Sequence, residues 1–95
     1  MRIEGCTVVF RSDSGYWADE RSGRKPYTVR FIGGDEWEEF TDWVEYCRDK
    51  KIRIESTDGP EKFTRLVSNV TDFGELLGVH QIGIAWWREG EGEGR

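Results

Sequence analysis

One nine-residue stretch, Ser22–Arg30, constrains the fold more than any other part of the sequence, because it joins a turn to the start of a strand. Gly23 gives the turn its backbone freedom, and Pro26 suits the first residue of a strand, where its missing N–H is not needed. Side chains alternate from there onwards. The apolar side of the strand is predicted to face a core, with Tyr27, Val29 and Phe31 on it.

The other side of the same strand is polar. Thr28 and Arg30 lie on it, and Arg24 and Lys25 lie close by in the turn. A hydroxyl and three cations therefore converge on one small patch, in a chain whose formal net charge is -5. This patch is the candidate functional site.

The spacing Gly-Arg-Lys-x-x-Thr-x-Arg over residues 23–30 resembles the signature of ASCH domains, members of the PUA-like superfamily of small β-barrels. A short helix precedes the signature in that family, and Gly15–Arg21 suits this role here. A segment similar to Val70–Leu77 follows it. The resemblance implies an α+β, mostly β fold: a small PUA-like β-barrel with a short helix before the signature strand. The amphipathic helix at about 35–50 is predicted to be an insertion that departs from the usual pattern of the family and packs on the barrel.

The resemblance also implies a ligand and the residues that hold it. ASCH-type proteins place their ligand in the cleft beside this strand, and the superfamily largely recognises RNA or modified nucleosides. The expected ligand-binding residues are Trp17, Arg24, Lys25, Thr28 and Arg30. RNA or a modified nucleoside is therefore the expected partner.

An enzymatic function is the first alternative. Some small ASCH proteins are amidohydrolases that cleave acetylated cytidine with a lysine, a threonine and a glutamate. The motif carries the first two roles onto Lys25 and Thr28, and Glu75 is the nearest candidate for the third. A lysine in a partly closed pocket suits a general base, and a threonine beside it suits a nucleophile.

The distribution of charge adds a second alternative. Nonspecific attraction to phosphates normally needs a basic protein, so a net charge of -5 argues against a broad nucleic-acid groove. Residues 33–50 alone carry seven Asp/Glu and two Lys/Arg. A small adaptor that binds a protein through this acidic segment is therefore a further hypothesis, which an exposed Trp43 would favour.

The clearest helix is Asp35–Lys50, where Trp37, Phe40, Val44 and Cys47 form an apolar stripe at helical spacing. Asp35 and Glu38 suit a capping pair. The predicted strands are Cys6–Phe10, Lys25–Ile32, Lys51–Ser56, Lys62–Phe73 with a bulge at Leu66–Val67, and Val79–Trp87, the last paired with the first. Gly74–Gly78 is predicted to be a tight turn.

The remaining expectations concern domain limits and location. Residues 1–88 are expected to form one domain, followed by a disordered acidic, Gly-rich tail at 89–95. The N-terminus lacks the apolar segment of a signal peptide, and no apolar run is long enough to span a bilayer, so the expected location is cytoplasmic. Cys6 and Cys47 are then predicted to be reduced thiols. No metal or cofactor is expected, and His80 is predicted to be a satisfied, partly buried residue.

Overall fold

The structure, a computed structural model, describes residues 1–88 and is α+β and mostly β, as predicted. In chain order its elements are β1 (Arg2–Glu4), β2 (Thr7–Ser12), α1 (Ser14–Ser22), β3 (Tyr27–Gly33), α2 (Asp35–Tyr46), β4 (Lys51–Ser56), β5 (Lys62–Leu76) and β6 (Val79–Trp86). The predicted tail at 89–95 lies outside the described residues. Among the residues described, neither helix has the length and apolar character needed to cross a membrane.

The strands form one sheet in the order β1-β2-β4-β5-β6-β3. β2 and β4 run parallel, and every other neighbouring pair runs antiparallel. The 15-residue β5 belongs to both halves of the sheet, because Lys62–Leu66 pairs with β4 and Val67–Leu76 pairs with β6. The sheet is not closed into the predicted barrel: within residues 1–88 no backbone hydrogen bond joins β3 to β1 or β2.

Regular alternation of apolar residues builds the core. In β4, Ile52 and Ile54 are fully buried, and in β6 Ile82, Ile84 and Trp86 are buried. These strands carry apolar side chains to one face at every second residue. Trp87, the residue after β6, is partly exposed beside the buried Trp86.

The predicted orientation of β3 is wrong. The three residues expected in the core are exposed instead, and Phe31 is 70% exposed. Thr28 and Ile32 are buried, so the side of β3 that carries the signature faces inward. Ile32 packs with the core, and inward-facing hydrogen-bond partners satisfy Arg30, as described below. The inward face of β3 therefore holds only one strongly apolar residue, Ile32. The prediction chose the opposite face because that face has more apolar residues.

Helix α2 begins at Asp35, as predicted, but ends at Tyr46 rather than at Lys50. Gly34 occupies the N-cap with a φ of 57°, and no side chain caps the helix, so the predicted Asp35–Glu38 capping pair does not form. At the other end, Cys47 has extended backbone angles, which stop the helix.

Helix α2 packs its apolar side against the sheet. Phe40 is buried as predicted, whereas Trp37, Val44 and Cys47 are half-buried. Trp43 was not assigned to the stripe, but it is buried and its Nε1 donates a hydrogen bond to the Cys6 carbonyl at 2.7 Å. It lies three residues after Phe40, which places both on one side of the helix.

The two cysteines form a disulfide, which corrects the prediction of reduced thiols. Their Cα atoms are 5.6 Å apart across a sequence separation of 41 residues. The Cys6 carbonyl also accepts a hydrogen bond from the Lys51 backbone N–H. The turn before β2 is therefore held against the end of α2, a long-range contact that cysteine spacing alone does not reveal.

Three further differences concern the strands. β6 pairs with β5 and β3, not with β2, whose partner is β4. β1 was not predicted, because three residues are too few to show alternation. β5 runs on to Leu76, so the predicted turn at Gly74–Gly78 narrows to Leu77 and Gly78, and register shifts occur at Val67/Asn69 and Asp72/Glu75.

Candidate functional site

A cleft of about 400 Å³ opens between helix α1, the end of β2 and strand β3. We call it the signature cleft, and its lining residues are Arg11, Ser12, Asp13, Tyr16, Glu20, Lys25, Thr28, Val29 and Arg30. Its volume falls in the range of pockets that hold small molecules. Both charge signs, two hydroxyl side chains and one aromatic ring line it.

Helix α1 and the turn after it fix the position of Lys25. Asp13 caps the start of the helix by accepting a hydrogen bond from the Tyr16 backbone N–H at 3.2 Å. Gly23 ends the helix with a φ of 85°, in the left-handed region, and a Cβ there would lie 3.1 Å from the Arg88 side chain. The Lys25 N–H then bonds to the Asp19 carbonyl, so the turn of the signature is tied to α1.

Arg30 spans the opening of the sheet. Its Nε donates to Thr28 Oγ1 at 2.9 Å, its Nη1 to the Arg11 carbonyl at 2.8 Å and its Nη2 to Ser12 Oγ at 2.6 Å. The guanidinium also lies over the Phe10 ring. A side chain therefore joins β3 to the end of β2, where the backbone does not.

Glu20 is the least expected residue of the cleft. Its side chain is 1% exposed, and its Oε1 has no hydrogen-bond partner within the described part of the chain. Burial lowers the pKa of the Arg30 guanidinium, and attraction to Glu20 acts in the opposite direction. A buried carboxylate oxygen with no donor is unfavourable, and such groups normally have partners. The wall of the cleft therefore includes a buried carboxyl group with one acceptor that the described residues leave unsatisfied.

Lys25 lies between two tyrosine rings. Its Nζ is 4.8 Å from the centroid of Tyr16 and 5.5 Å from that of Tyr27. Contacts of this kind stabilise the charged ammonium. Tyr16 is itself 60% exposed, so one ring at the rim of the cleft is open to solvent.

The structure brings together three of the five predicted ligand-binding residues, namely Lys25, Thr28 and Arg30. The other two do not line the cleft. Trp17 turns towards the core, where its Nε1 donates to the Ile54 carbonyl at 3.2 Å. Arg24 is exposed and forms an ion pair with Asp19.

Glu75, the third residue of the predicted catalytic set, lies far from the other two. It pairs with His80 of β6, whereas Thr28 pairs with Ile84, four residues or about 13 Å further along the strand. Lys25 precedes β3, so it lies even further from Glu75 than Thr28 does.

His80 occupies a polar cluster next to Glu75, and it is partly buried and satisfied, as predicted. Its ring stacks on Trp37 with centroids 3.5 Å apart, and its Nδ1 lies 2.9 Å from Asp72 Oδ2. The Gly74 backbone N–H, and then His80, hold the pKa of Asp72 below its ordinary value. This cluster joins α2 to the β5–β6 hairpin.

Sequence reasoning missed Tyr16, Ser12 and Glu20 as residues of the cleft. For Glu20 a signal was present. It follows Tyr16 by four residues and Trp17 by three, so it lies on the same side of α1 as these rings. A carboxylate on the inward side of a short helix, just before a cationic turn, is therefore the pattern that places Glu20 in the cleft.

Helix α2, which carries most of the acidic segment, does not expose Trp43, the feature expected to favour a protein-binding adaptor. Trp43 is buried, so α2 presents no exposed tryptophan as an anchor for a protein partner. A protein-binding role for the segment at 35–50 therefore has no support from Trp43.

No family model, curated protein or solved structure matches the chain. Membership of the ASCH family therefore stays a prediction from the signature. The function assigned to the cleft depends on the geometry of its own residues.

Replacing Arg30 with alanine is expected to lower the free energy of unfolding by about 2 kcal/mol. The change removes three hydrogen bonds across the opening and leaves Glu20 without its neighbouring cation. Urea unfolding measures the effect.

Arg24→Ala is the matched control, because Arg24 is exposed and its ion pair lies in solvent. It is expected to change stability by less than about 0.5 kcal/mol. Adding Glu20→Gln to Arg30→Ala is expected to restore part of the loss, because the uncompensated charge disappears. Equal effects of Arg24→Ala and Arg30→Ala would contradict the bridging role.

Proposed function

We propose that the signature cleft binds RNA or a modified nucleoside. The observation that carries the proposal is the Oε1 of buried Glu20, which has no hydrogen-bond partner among residues 1–88, at the same site as the cations of Lys25 and Arg30 and an open aromatic ring. A nucleobase offers N–H donors for the carboxylate and a flat face for Tyr16, and a phosphate offers charge for Lys25. Bases stacked on aromatic rings and read along their polar edges are typical of single-stranded RNA recognition.

The proposal includes a fold assignment. We propose that the protein is an ASCH-type, PUA-like domain whose barrel is open between β2 and β3. Three features support it: the helix α1 directly before the signature, the left-handed Gly23 at the turn, and a cleft lined by Lys25, Thr28 and Arg30.

The second candidate function is amide hydrolysis on an acylated nucleoside. Glu20 favours it, because it places a carboxylate in the same cleft as Lys25 and Thr28, a position that Glu75 does not reach. Two contacts favour binding over catalysis. The Tyr16 and Tyr27 rings lie within cation–π distance of Lys25 Nζ, an arrangement that suits a cation held in place to contact a phosphate. Thr28 Oγ1 accepts a hydrogen bond from Arg30, which draws electron density from a nucleophile.

A thermal-shift screen of modified nucleosides and short RNAs tests the proposal. A ligand at a hundred times its dissociation constant stabilises the folded state by roughly 2.7 kcal/mol, which a small domain reports clearly. Glu20→Gln is expected to weaken binding most for ligands with an amino group. The glutamine amide can present its NH2 group to the ligand as readily as its oxygen, and the NH2 group cannot accept a hydrogen bond from an amino group. A panel with no hit, or hits that Glu20→Gln leaves unchanged, would contradict it.

Lys25→Ala separates binding from catalysis. In a binding domain the affinity falls, and the loss shrinks as salt is raised, because a cation–phosphate contact is screened. In an amidohydrolase the variant loses turnover of an acylated nucleoside while largely keeping substrate affinity. Lys62→Ala, an exposed lysine that does not line the cleft, is the control and is expected to change neither quantity.

A further inference from the structure

The side of strands β3, β5 and β6 that points away from the core carries an exposed apolar surface. Ile32 of β3 and Ile82 and Ile84 of β6 are buried, so the residues that alternate with them point outward. The strand register places these outward residues side by side. We call this surface the outer face, and its exposed apolar side chains are Tyr27, Val29, Phe31, Phe73, Leu76 and Val79.

The outward positions of the outer face hold no charged residue in the part of the chain that the structure describes. Besides the apolar residues, β6 contributes Gln81, Gly83 and Ala85 there. On β5, Asn69 and Thr71 satisfy each other, because the Asn69 amide donates to Thr71 Oγ1 at 2.9 Å. Over the whole chain 35% of the residues are charged. A charge-free face in such a chain suits burial against another apolar surface rather than contact with phosphates.

A cavity of about 410 Å³ lies in the middle of the outer face, between Phe31 on β3 and Phe73 on β5. The Phe73 ring rests directly on the backbone of Gly83, since a Cβ there would lie 2.6 Å from its Cε2. Glu75 also lines the cavity, but its carboxylate is engaged within its own hairpin by the Gly78 N–H and by His80. The cavity is therefore a depression between two rings that another apolar side chain can fill.

The exposed area fits a contact between two proteins. The three aromatic side chains are 48%, 70% and 61% exposed, in the order Tyr27, Phe31 and Phe73. An aromatic side chain carries about 150–250 Å², so these rings alone expose roughly 350 Å². The aliphatic side chains raise the apolar patch to roughly 600 Å², the upper end for an ordinary monomer. With its polar residues the outer face approaches the roughly 800 Å² that each partner buries in a standard interface.

We propose that two copies of the chain associate through their outer faces, sheet against sheet. Two identical, uncharged faces match without complementary charges, and a contact of each face with its copy closes as a twofold dimer. The sheets then lie about 10 Å apart, with their side chains interdigitated.

The strand order fixes the contacts across the twofold axis. Because β6 lies between β3 and β5, an axis along β6 places β3 of one copy against β5 of the other. Phe31 of each copy then enters the cavity beside Phe73 of the other, and the two Gln81 side chains meet at the axis. The dimer does not rest on the function proposed for the signature cleft.

Sedimentation equilibrium of the full chain without ligand tests the dimer over about 1–500 µM, because contacts of modest area often reach only micromolar affinity. The wild type is expected to pass from monomer to dimer in this range. Phe31→Thr is expected to raise the dissociation constant at least about tenfold. Its thermal midpoint in dilute solution is expected to change little, because Phe31 is exposed and threonine is a good strand former.

Tyr46→Thr is the matched control. It removes another exposed aromatic ring, on α2 and away from the outer face, and is expected to leave the dimer intact. A Phe31→Thr variant that dimerises as well as Tyr46→Thr overturns the proposal.

Charges at Gln81 test the twofold arrangement. Gln81→Lys and Gln81→Glu are each expected to weaken the dimer, because like charges then meet at the axis. An equimolar mixture of the two variants is expected to associate more tightly than either alone, because opposite charges then meet. A mixture that gains nothing contradicts the proposal. So does a wild type that stays monomeric at every concentration, and sedimentation of that monomer with phosphatidylcholine vesicles would assign the outer face to a lipid surface instead.

Discussion

Replacing Phe40 with alanine is expected to lower the free energy of unfolding by about 3–5 kcal/mol, as large-to-small changes in a core do. Phe40 is 1% exposed and is the residue of α2 that enters the core most deeply. Its ring lies between Trp37 and Trp43, with centroid distances of 6.1 and 5.5 Å. These large neighbours cannot collapse fully into the space, so a cavity remains.

Glu39→Ala is the matched control, because Glu39 is the neighbouring residue on the exposed side of α2. It is expected to change stability by less than about 0.5 kcal/mol. Urea unfolding, with the fluorescence of the tryptophans next to Phe40 as the signal, measures both variants. Similar losses from both would show that α2 does not pack through Phe40.

Removing the Cys6–Cys47 disulfide is expected to lower the free energy of unfolding by about 4 kcal/mol. The bond closes a loop with a sequence separation of 41 residues, and the unfolded chain gains the freedom of that loop when the bond is lost. The double variant Cys6→Ser/Cys47→Ser is compared with the wild type by urea unfolding. For a chain of 95 residues this is a large share of the total stability.

Reductant supplies the control. It is expected to destabilise the wild type to the level of the double variant and to leave the double variant unchanged. A thiol titration that finds two free thiols in the unreduced, unfolded wild type would contradict the bond. The result also bears on the location of the protein, because disulfides persist in oxidising compartments and are rare in the cytoplasm.

Local sequence patterns predicted elements whose residues alternate or repeat regularly. β4 has the predicted bounds, Lys51–Ser56, because its isoleucines alternate with charged residues from Lys51 to Glu55. The start of α2 was predicted for a similar reason, but its end was not. The helix stops at Tyr46 because Cys47 is held by the disulfide and the contacts of Cys6, which act across the chain.

The orientation of β3 could not be predicted from the number of apolar residues on each side of the strand. Tyr27, Val29 and Phe31 outnumber the single apolar residue of the other face, yet they are exposed. The strand is oriented by the burial of Ile32 and by the acceptors that β2 offers to Arg30, and both depend on the tertiary fold.

The residues of the candidate site that lie close together in the sequence were predictable. Lys25, Thr28 and Arg30 lie within six consecutive residues, so a turn and one strand bring them together. Glu20 was predictable only by combining helical spacing with the turn after it. Ser12 comes from β2, which reaches the cleft through the parallel pairing with β4, and no local pattern signals that contact.

The bridge made by Arg30 has a consequence for how the molecule moves. Within residues 1–88, the Arg30 side chain rather than a backbone ladder supplies the hydrogen bonds that hold β3 to the end of β2, so the two sides of the cleft separate more readily than paired strands do. A ligand that contacts Lys25 on one side and Ser12 on the other binds the joined arrangement better than the separated one. Binding then shifts the population towards the joined arrangement, to an extent set by the difference between the ligand's affinities for the joined and the separated arrangements. Amide hydrogens along β3 would report occupancy of the cleft by exchanging more slowly.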